Sequence, residues 1–472
     1  MSAVFFIIFI ILEITQLVLA FTKAPEKTAW LKTKAAVRLA ETIALVGIIV
    51  VPSTHLKWRY AIALIVLVIR LLAAWRSSDR RQYRFGFGLN NNSTSADHID
   101  HSRDQLTGRK KAACHKNRIH AVLSFVFSLV IVSLALAPAF IFTNYNGLPT
   151  TGGYDVKMTS AILVDESRRD TFENDGSYRE VPVHFYYPDT DSGSYPLVVF
   201  SHGAFGYYQS NFSTYEELAS NGYVVAALDH PHHAFFTKDT QGSIVTVDRT
   251  FINDVMNINN DAITEEWMKL RIADENFVLD TIETAQETGS LDNAWHTDNS
   301  SDVLNVLRMT NTDKIGLMGH SLGGATSTAV GRERSDIDAV IDLDGTMLSE
   351  RISVTNGKYD YYDEPYPVPI LDFTKEKDYN EREQYKNENA YSYVNDSVIE
   401  NAKDGRTVVF SGALHMDFTD LPLISPTLAS MLDEGESEVD NTEFMTTVNS
   451  IVLNWFNYYL KGEGTLDIQA KY

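Results

Sequence analysis

The sequence Gly-His-Ser-Leu-Gly at residues 319–323 places one hydroxyl group, that of Ser321, in a turn that could present it for nucleophilic attack. An apolar run at 315–318 precedes this turn, and the residues at 325–330 favour a helix after it. This strand–turn–helix setting is what a nucleophile elbow requires. Side chains at Gly319 and Gly323 would clash in so tight a turn, and glycine avoids the clash. We therefore predict that Ser321 is a nucleophile.

A serine nucleophile needs a general base, and His415 is the best placed of the 13 histidines. It follows the last predicted strand and precedes the final long helix, which gives the chain order serine, acid, histidine that accompanies the elbow. The acid has two candidates, because Asp344 ends the strand after the elbow helix and Asp378 follows the next strand. The position of Asp378 is the commoner one in this fold. Asp342 and Asp344 would point the same way from their strand, and Asp344 lies nearer the carboxyl edge of the sheet, where such sites form, so we favour Asp344 over Asp378.

A second turn, His-Gly-Ala-Phe-Gly at residues 202–206, follows the apolar run 197–201. Hydrolases with an elbow take one backbone N–H donor from this loop and a second from the residue after the nucleophile. Those donors would be Ala204 and Leu322, and each would stabilise an oxyanion by about 3 kcal/mol. Taken alone, the loop could equally be a simple glycine turn.

Other polar residues favour structural interpretations. His230, His232 and His233 are close in sequence, but their spacing fits no common zinc pattern and favours a polar loop over a metal site. Arg271 and Asp274 lie three residues apart on a predicted helix, which indicates a structural pair rather than substrate ligands.

Residues 150–472 contain the elements that must position these groups. Short apolar runs alternate with helical stretches, as in α/β proteins, and several runs have the Val, Ile and Leu content of central parallel strands. Strands are predicted at 157–164, 181–187, 197–201, 224–229, 314–319, 339–344, 370–374 and 407–411. Helices are predicted at 215–221, 265–286, 323–332 and 446–460. We predict an α/β-hydrolase domain with a mostly parallel central sheet and helices on both faces.

Charge divides the chain into two parts. The first 143 residues carry 18 Lys and Arg against 7 Asp and Glu, whereas the remainder carries 22 against 55. So large a split indicates that the two parts occupy different surroundings. The acidic part would repel phosphates, so we expect no nucleic-acid partner.

Residues 1–145 contain four apolar segments, which predict an all-α membrane region. Its four transmembrane helices are predicted at about 4–21, 36–53, 58–75 and 119–142. A spanning helix needs about 20 mostly apolar residues, so the second and third segments are short and could instead form a buried or re-entrant hairpin.

Basic residues set the expected orientation of these segments. Lys and Arg concentrate after the first segment and in the loop 76–118 before the fourth, and such loops remain in the cytoplasm. With four spans, the N-terminus and the domain 150–472 would both lie outside the cytoplasm. We therefore expect a multi-pass protein of the cell membrane with an extracytoplasmic catalytic domain.

The part of the chain from about residue 181 to the end resembles the platelet-activating factor acetylhydrolase family and, more distantly, the dienelactone-hydrolase-like enzymes. The matching pieces are Pro182–Pro188, Val198–Gly203, Gly319–Ala325, Leu343–Gly345 and His415–Phe418. The resemblance implies removal of short acyl chains from phospholipids without a metal or cofactor. It also implies the acid at Asp344 and the oxyanion donors at Ala204 and Leu322. The predicted spans and the long acidic stretch 229–302 depart from the family pattern.

These observations lead to one main hypothesis and two alternatives. The main hypothesis is a membrane-anchored serine carboxylic ester hydrolase that acts on short-acyl or lipid esters through Ser321, His415 and Asp344. One alternative is a membrane-tethered binding or sensing module that does not catalyse a reaction. The other is a peptidase with the same fold.

Overall fold

The computed structural model describes residues 2–22, 27–50, 57–85, 102–173, 175–256, 261–355, 358–386, 393–433 and 435–472. The chain divides into two compact units. The first comprises residues 1–146 together with 424–427, and the second comprises residues 147–423 and 428–472.

The first unit is helical. Its helices are α1 (Ser2–Thr22), α2 (Lys27–Val50), α3 (Ala61–Phe85) and α4 (Ser102–Ile141), with a 3-10 turn at Lys57–Tyr60 before α3. Apolar side chains of all four helices, including Phe9, Leu45, Leu67 and Val132, form a common buried cluster.

Three stretches of the described residues are long and apolar enough to cross a membrane, namely Ser2–Phe21, Trp58–Arg76 and Arg118–Ile141. They coincide with the first, third and fourth predicted segments. Most of the second segment is helical in α2, but it is not among the three, and residues 51–53 lie outside the described residues. Four spans therefore stay a prediction.

Both ends of the predicted basic loop 76–118 are helical, because α3 continues to Phe85 and α4 begins at Ser102. The apolar stretches themselves end at Arg76 and begin again at Arg118, and the cytoplasmic placement of the segment between them stays a prediction. Residues 86–101 lie outside the described residues.

A group of buried charges links three helices of the first unit. Glu13 of α1 accepts hydrogen bonds from Arg38 of α2 and from Arg70 of α3, the latter at 2.6 Å. Arg38 also donates to Glu41 at 2.8 Å. Opposite charges offset much of the cost of burying each other, so α2 keeps its charged residues inside the helical unit.

Within its described residues, the second unit contains a nine-stranded sheet and two small hairpins. In chain order the strands are β1 (Val156–Arg169), β2 (Tyr178–Pro188), β3 (Tyr195–Ser201), β4 (Val224–Leu228), β5 (Phe236–Lys238), β6 (Ile244–Thr246), β7 (Trp295–His296), β8 (Thr310–His320), β9 (Ile337–Leu343), β10 (Arg351–Thr355), β11 (Lys358–Tyr361), β12 (Ile370–Lys375) and β13 (Gly405–Phe410). The order across the sheet is β13-β12-β9-β8-β3-β4-β2-β1-β7, and the run from β13 to β4 is parallel. Strands β5–β6 and β10–β11 form the hairpins.

The helices of this part of the chain are α5 (Phe212–Ser220), α6 (Arg249–Met256), α7 (Asp261–Thr288), α8 (Ser300–Met309), α9 (Leu322–Glu333), α10 (Glu376–Tyr385), α11 (Val394–Glu400), α12 (Leu421–Ile424), α13 (Pro426–Leu432) and α14 (Asn441–Phe456). All eight predicted strands and all four predicted helices are present. Sequence analysis missed the hairpins, β7 and several short helices, whose apolar patterns are too brief to stand out.

Helices cover both faces of the sheet, as expected for buried parallel strands. Successive residues of a strand point to opposite faces. In β8, Gly316 approaches Phe456 of α14, whereas Leu317 joins the core cluster that contains Val278 and Leu279 of α7. The interior therefore lies on both sides of β8, the strand that leads to Ser321.

Helices α7 and α9 pack together and bury a carboxyl group between them. Glu275 of α7 is fully buried and accepts a hydrogen bond from Ser327 Oγ of α9 at 3.3 Å. Burial raises the pKa of Glu275 to about 8. An acid with a raised pKa takes up a proton on folding, so the free energy of unfolding decreases as pH rises from the ordinary glutamate pKa towards 8.

Replacing this carboxyl group should remove that pH dependence. Between pH 5.5 and 7.5 we expect the wild type to lose about 2 kcal/mol more unfolding free energy than Glu275→Gln. Urea unfolding of both proteins in the same detergent measures the difference. Glu287→Gln, at an exposed position of α7, is the control and should follow the wild type. Equal pH dependence in wild type and Glu275→Gln would contradict the expectation.

Candidate active site

Ser321 lies between the end of β8 and the first residue of α9, with φ 55° and ψ −122°. Positive φ in a residue other than glycine is uncommon and persists only where the surroundings impose it. A methyl group at Gly319 would lie 2.2 Å from the carbonyl carbon of Gly323, and one at Gly323 would lie 2.0 Å from the carbonyl oxygen of Ser201. Both glycines of the motif are therefore required by close backbone contacts.

His415 and Asp344 meet although they follow strands β13 and β9, which are separated in the sheet by β12. His415 begins a 3-10 turn after β13, and its Nδ1 lies 2.6 Å from Asp344 Oδ2. Asp344 follows β9 with φ 54°, and its N–H donates to the carbonyl of Phe373 at 2.9 Å. The Asp344 side chain is buried, whereas that of His415 is 33% exposed. The imidazole is therefore oriented from its buried side and accessible from the other.

Asp378, the second candidate acid, has a different partner. It lies in the first turn of α10, where its carboxylate is 2.9 Å from Lys375 Nζ. Lys375 Nζ also lies 3.2 Å from Asp344 Oδ2. The structure thus brings Asp344, and not Asp378, against His415, and the catalytic role of Asp344 stays a prediction.

The surroundings of Asp344 keep its carboxylate ionised. Burial opposes ionisation, but the hydrogen bond with His415 and the charges of His415 and Lys375 together hold the pKa of Asp344 below its ordinary value. An ionised carboxylate accepts the Nδ1–H of an imidazole, which leaves the lone pair of Nε2 free to receive a proton. The arrangement can therefore support a histidine base.

His320, the residue before Ser321, contacts His415 directly. Its ring lies beside that of His415, with centroids 4.5 Å apart and planes tilted by 36°, and its Nε2 donates to the His415 carbonyl at 3.1 Å. Burial lowers the pKa of His320 to about 3, so it is neutral at neutral pH. Sequence analysis interpreted His320 as part of the turn, and this contact shows that it also fixes the backbone of His415.

The loop 202–206 lies against Ser321, because a methyl group at Gly203 would stand 3.1 Å from Ser321 Cβ. The N–H groups of Phe205 and Gly206 donate to the carbonyls of His233 and Gly203, each at 3.1 Å. The Ala204 N–H, which precedes them, has no backbone acceptor within the described part of the chain. Leu322 begins α9, and the first N–H groups of a helix also lack acceptors within that helix. Their role as oxyanion donors stays a prediction.

A second hydrogen-bonded set of serine, histidine and aspartate lies next to this loop, and sequence analysis missed it. Ser201 Oγ is 2.8 Å from His230 Nε2, and His230 Nδ1 is 3.0 Å from Asp274 Oδ2. All three side chains are fully buried, and Asp274 also pairs with Arg179 at 2.7 Å. Its atoms match a catalytic triad, but a substrate carbonyl cannot reach a serine with no exposed surface.

Arg271 and Asp274 do not form the pair that their spacing suggests. Asp274 binds Arg179 and His230, whereas Arg271 donates to the carbonyl of His202 at 2.6 Å and to His233 Nδ1 at 3.2 Å. Tertiary partners outcompete the neighbour one turn away, because the i,i+3 pairing contributes only about 0.2–0.5 kcal/mol.

The parallel strand order, with an elbow where β8 meets α9, defines an α/β-hydrolase fold. A solved structure of a ferulic acid esterase from Streptomyces cinnamoneus is similar, with a TM-score of 0.53 and 21% sequence identity. The similarity covers 68% of this chain and 95% of that one, which confirms the predicted fold.

The family model for platelet-activating factor acetylhydrolase, isoform II, matches residues 177–466, and the protein belongs to this family. The platelet-activating factor acetylhydrolase of Gallus gallus is 25% identical over 288 residues, which cover 56% of this chain and 62% of the relative. That of Cavia porcellus is 23% identical over 288 residues, with 60% and 61% covered. The chain thus spans about three-fifths of the length of these curated relatives. The predicted family is confirmed.

Proposed function

We propose that this protein is a membrane-anchored serine hydrolase that cleaves carboxylic esters with short acyl chains or lipid esters. The observation that carries the proposal is the 2.6 Å hydrogen bond between Asp344 and His415, an accessible histidine whose ring contacts that of His320, the residue before Ser321. The names of the family and of its relatives support an ester substrate.

The proposed reaction has two steps. Ser321 Oγ attacks the ester carbonyl while His415 Nε2 takes its proton, and Asp344 stabilises the resulting imidazolium. The N–H groups of Ala204 and Leu322 bind the negative oxygen of the tetrahedral intermediate. The alcohol leaves with the proton from His415, and a water molecule then releases the acyl group by the same steps in reverse.

Apolar residues next to the donors support an acyl substrate. Leu322 belongs to a buried cluster with Phe251 and Trp267, and Ala204 and Phe205 pack against that cluster. A carbonyl bound by the two donors would therefore have apolar neighbours, which favour an alkyl group over a charged one.

The pattern of basic residues supports four membrane spans, with the N-terminus and residues 150–472 outside the cytoplasm. If α1, α3 and α4 crossed and α2 did not, the basic residues after α1 and those between α3 and α4 would lie on opposite sides. A crossing by α2 puts both groups in the cytoplasm, as the positive-inside rule requires. The pairing of Arg38 with Glu13 and Glu41 makes that crossing less costly.

The nucleophile can be tested on the full chain in detergent. We expect Ser321→Ala to lower kcat for p-nitrophenyl acetate by at least about 10⁴-fold, because the attacking oxygen is lost. A panel of p-nitrophenyl esters from acetate to laurate should show the highest kcat/KM at short chains, and p-nitroanilides of the same acids should not be cleaved. Ser335→Ala, at an exposed position just beyond α9, should retain wild-type rates. Equal rates for wild type and Ser321→Ala on every ester would refute the proposal.

The acid can be tested with two isosteric changes. Asp344→Asn should lower kcat by about 10³–10⁴-fold, because an amide cannot hold the imidazole in the required tautomer or stabilise its charge. Asp378→Asn should remain within about twofold of wild type, because Asp378 contacts Lys375 at the surface. Stopped assays with p-nitrophenyl acetate measure both. Inactive Asp378→Asn beside active Asp344→Asn would reverse the assignment.

Protease accessibility tests the orientation. A tag after Tyr472 should be removed by protease added to intact cells, because the proposed topology puts residues 150–472 outside the cytoplasm. A tag inserted after Leu89 should be protected until the membrane is permeabilised. Protection of the C-terminal tag in intact cells would overturn the proposed topology.

A further inference from the structure

The loop 202–206 rests on a buried arginine of α7. Arg271 has no exposed surface. Its Nη1 donates to the carbonyl of His202 at 2.6 Å, its Nη2 to that of Gly203 at 3.3 Å, and its Nε to His233 Nδ1 at 3.2 Å. Two of the three acceptors belong to the loop that follows β3, and the third, His233, accepts the Phe205 N–H of that loop at its carbonyl.

These acceptors are neutral, and no carboxylate lies within 4.0 Å of Arg271 in the part of the chain that is described. Asp274, the nearest acid along α7, is occupied by Arg168, Arg179 and His230. Burial lowers the pKa of Arg271 to about 9, so the guanidinium still carries its charge at neutral pH. Its charge therefore acts on the backbone carbonyls of the loop, and hydrogen bonds from an ionised donor are the stronger kind.

The Gly203 carbonyl is the most heavily bonded of these groups. Besides Arg271, it accepts a hydrogen bond from His202 Nδ1 at 2.7 Å and from the Gly206 N–H at 3.1 Å. The proton of His202 is on Nδ1, because its Nε2 accepts the N–H of His230 at 3.1 Å. Three donors thus converge on one oxygen.

That oxygen belongs to the same peptide group as the Ala204 N–H. The peptide is trans and planar, so the N–H points away from the carbonyl, and fixing the oxygen also fixes the N–H. Gly203 has no side chain to restrict rotation of this peptide, which makes an external anchor necessary. Charge on the carbonyl side also polarises the N–H on the other side and strengthens it as a donor.

We propose that Arg271 is a positioning residue, which holds the Gly203–Ala204 peptide so that the Ala204 N–H faces the oxyanion. The inference rests on the proposed function, in which Ala204 is an oxyanion donor. Arg271 acts through the backbone and touches no substrate. It should therefore affect the tetrahedral intermediate and not ground-state binding.

Arg271→Lys tests this role, because lysine keeps the charge but lacks the planar fork that reaches two carbonyls. We expect kcat for p-nitrophenyl acetate to fall about 10- to 100-fold with KM within about threefold. A trifluoromethyl ketone forms a tetrahedral alkoxide on the serine, so its inhibition constant should rise by the same factor. His202→Phe removes another donor to the same carbonyl. It should also lower kcat and raise the ketone inhibition constant, by smaller factors and with KM little changed. If Arg271→Lys does not fold, His202→Phe alone tests the proposed role.

Arg332→Gln is the matched control, because Arg332 binds Glu350 at 2.6 Å and makes no contact with the loop among the bonds described. Its thermal midpoint should fall as that of Arg271→Lys does, while its kcat and ketone inhibition stay at wild-type values. Loss of thermal stability in Arg271→Lys and His202→Phe with unchanged kcat and ketone inhibition would overturn the positioning role. Failure of the proposed function itself would appear separately, as wild-type activity that Ser321→Ala does not abolish.

Discussion

The backbone of Ser321 can keep a positive φ only because the ends of three neighbouring parallel strands surround it. Strands β3, β8 and β9 end in register, with Ser201 opposite Gly319 and His320 opposite Leu343. The Ser321 N–H donates to Leu343, and the first turn of α9 passes so close to Ser201 that only glycine fits at 323. The loop with the proposed oxyanion donor Ala204 leaves β3, and the proposed acid Asp344 follows β9. The strand ends that impose the Ser321 backbone conformation therefore also position the residues proposed to act with it.

Burial and charge separate two chemically similar arrangements in one domain. The hydrogen-bonded set of Ser201, His230 and Asp274 has the atoms of a triad, but it has no exposed surface, and its carboxylate also binds arginines. Burial and nearby Arg271 lower the pKa of His230 to about 3, so it cannot act as a base at neutral pH. In the pair of His415 and Asp344, by contrast, the histidine is one-third exposed, so a substrate can reach it.

Charged side chains have structural roles in both units, although by different means. In the helical unit, Glu13 and Arg38 offset each other, which lets α2 keep buried charges while it packs with the other three helices. In the second unit, Arg271 forms no ion pair with an acid of the described residues and instead binds backbone carbonyls. The same physical requirement, that buried charge must find partners, stabilises helix packing in one case and a loop in the other.

The sequence by itself determined the eight main strands, the elbow at Ser321, the candidate residues and the family, because short apolar runs, glycine positions and chain order are local properties. It also indicated Asp344 over Asp378, although not by contact. Only the tertiary structure decided which acid meets His415, 71 residues away, and which carbonyls Arg271 binds, 68 and 69 residues away. Helical spacing predicted a pair between Arg271 and Asp274, but burial selected other partners. Such contacts join distant residues, and their choice depends on burial and competing partners that no local pattern records.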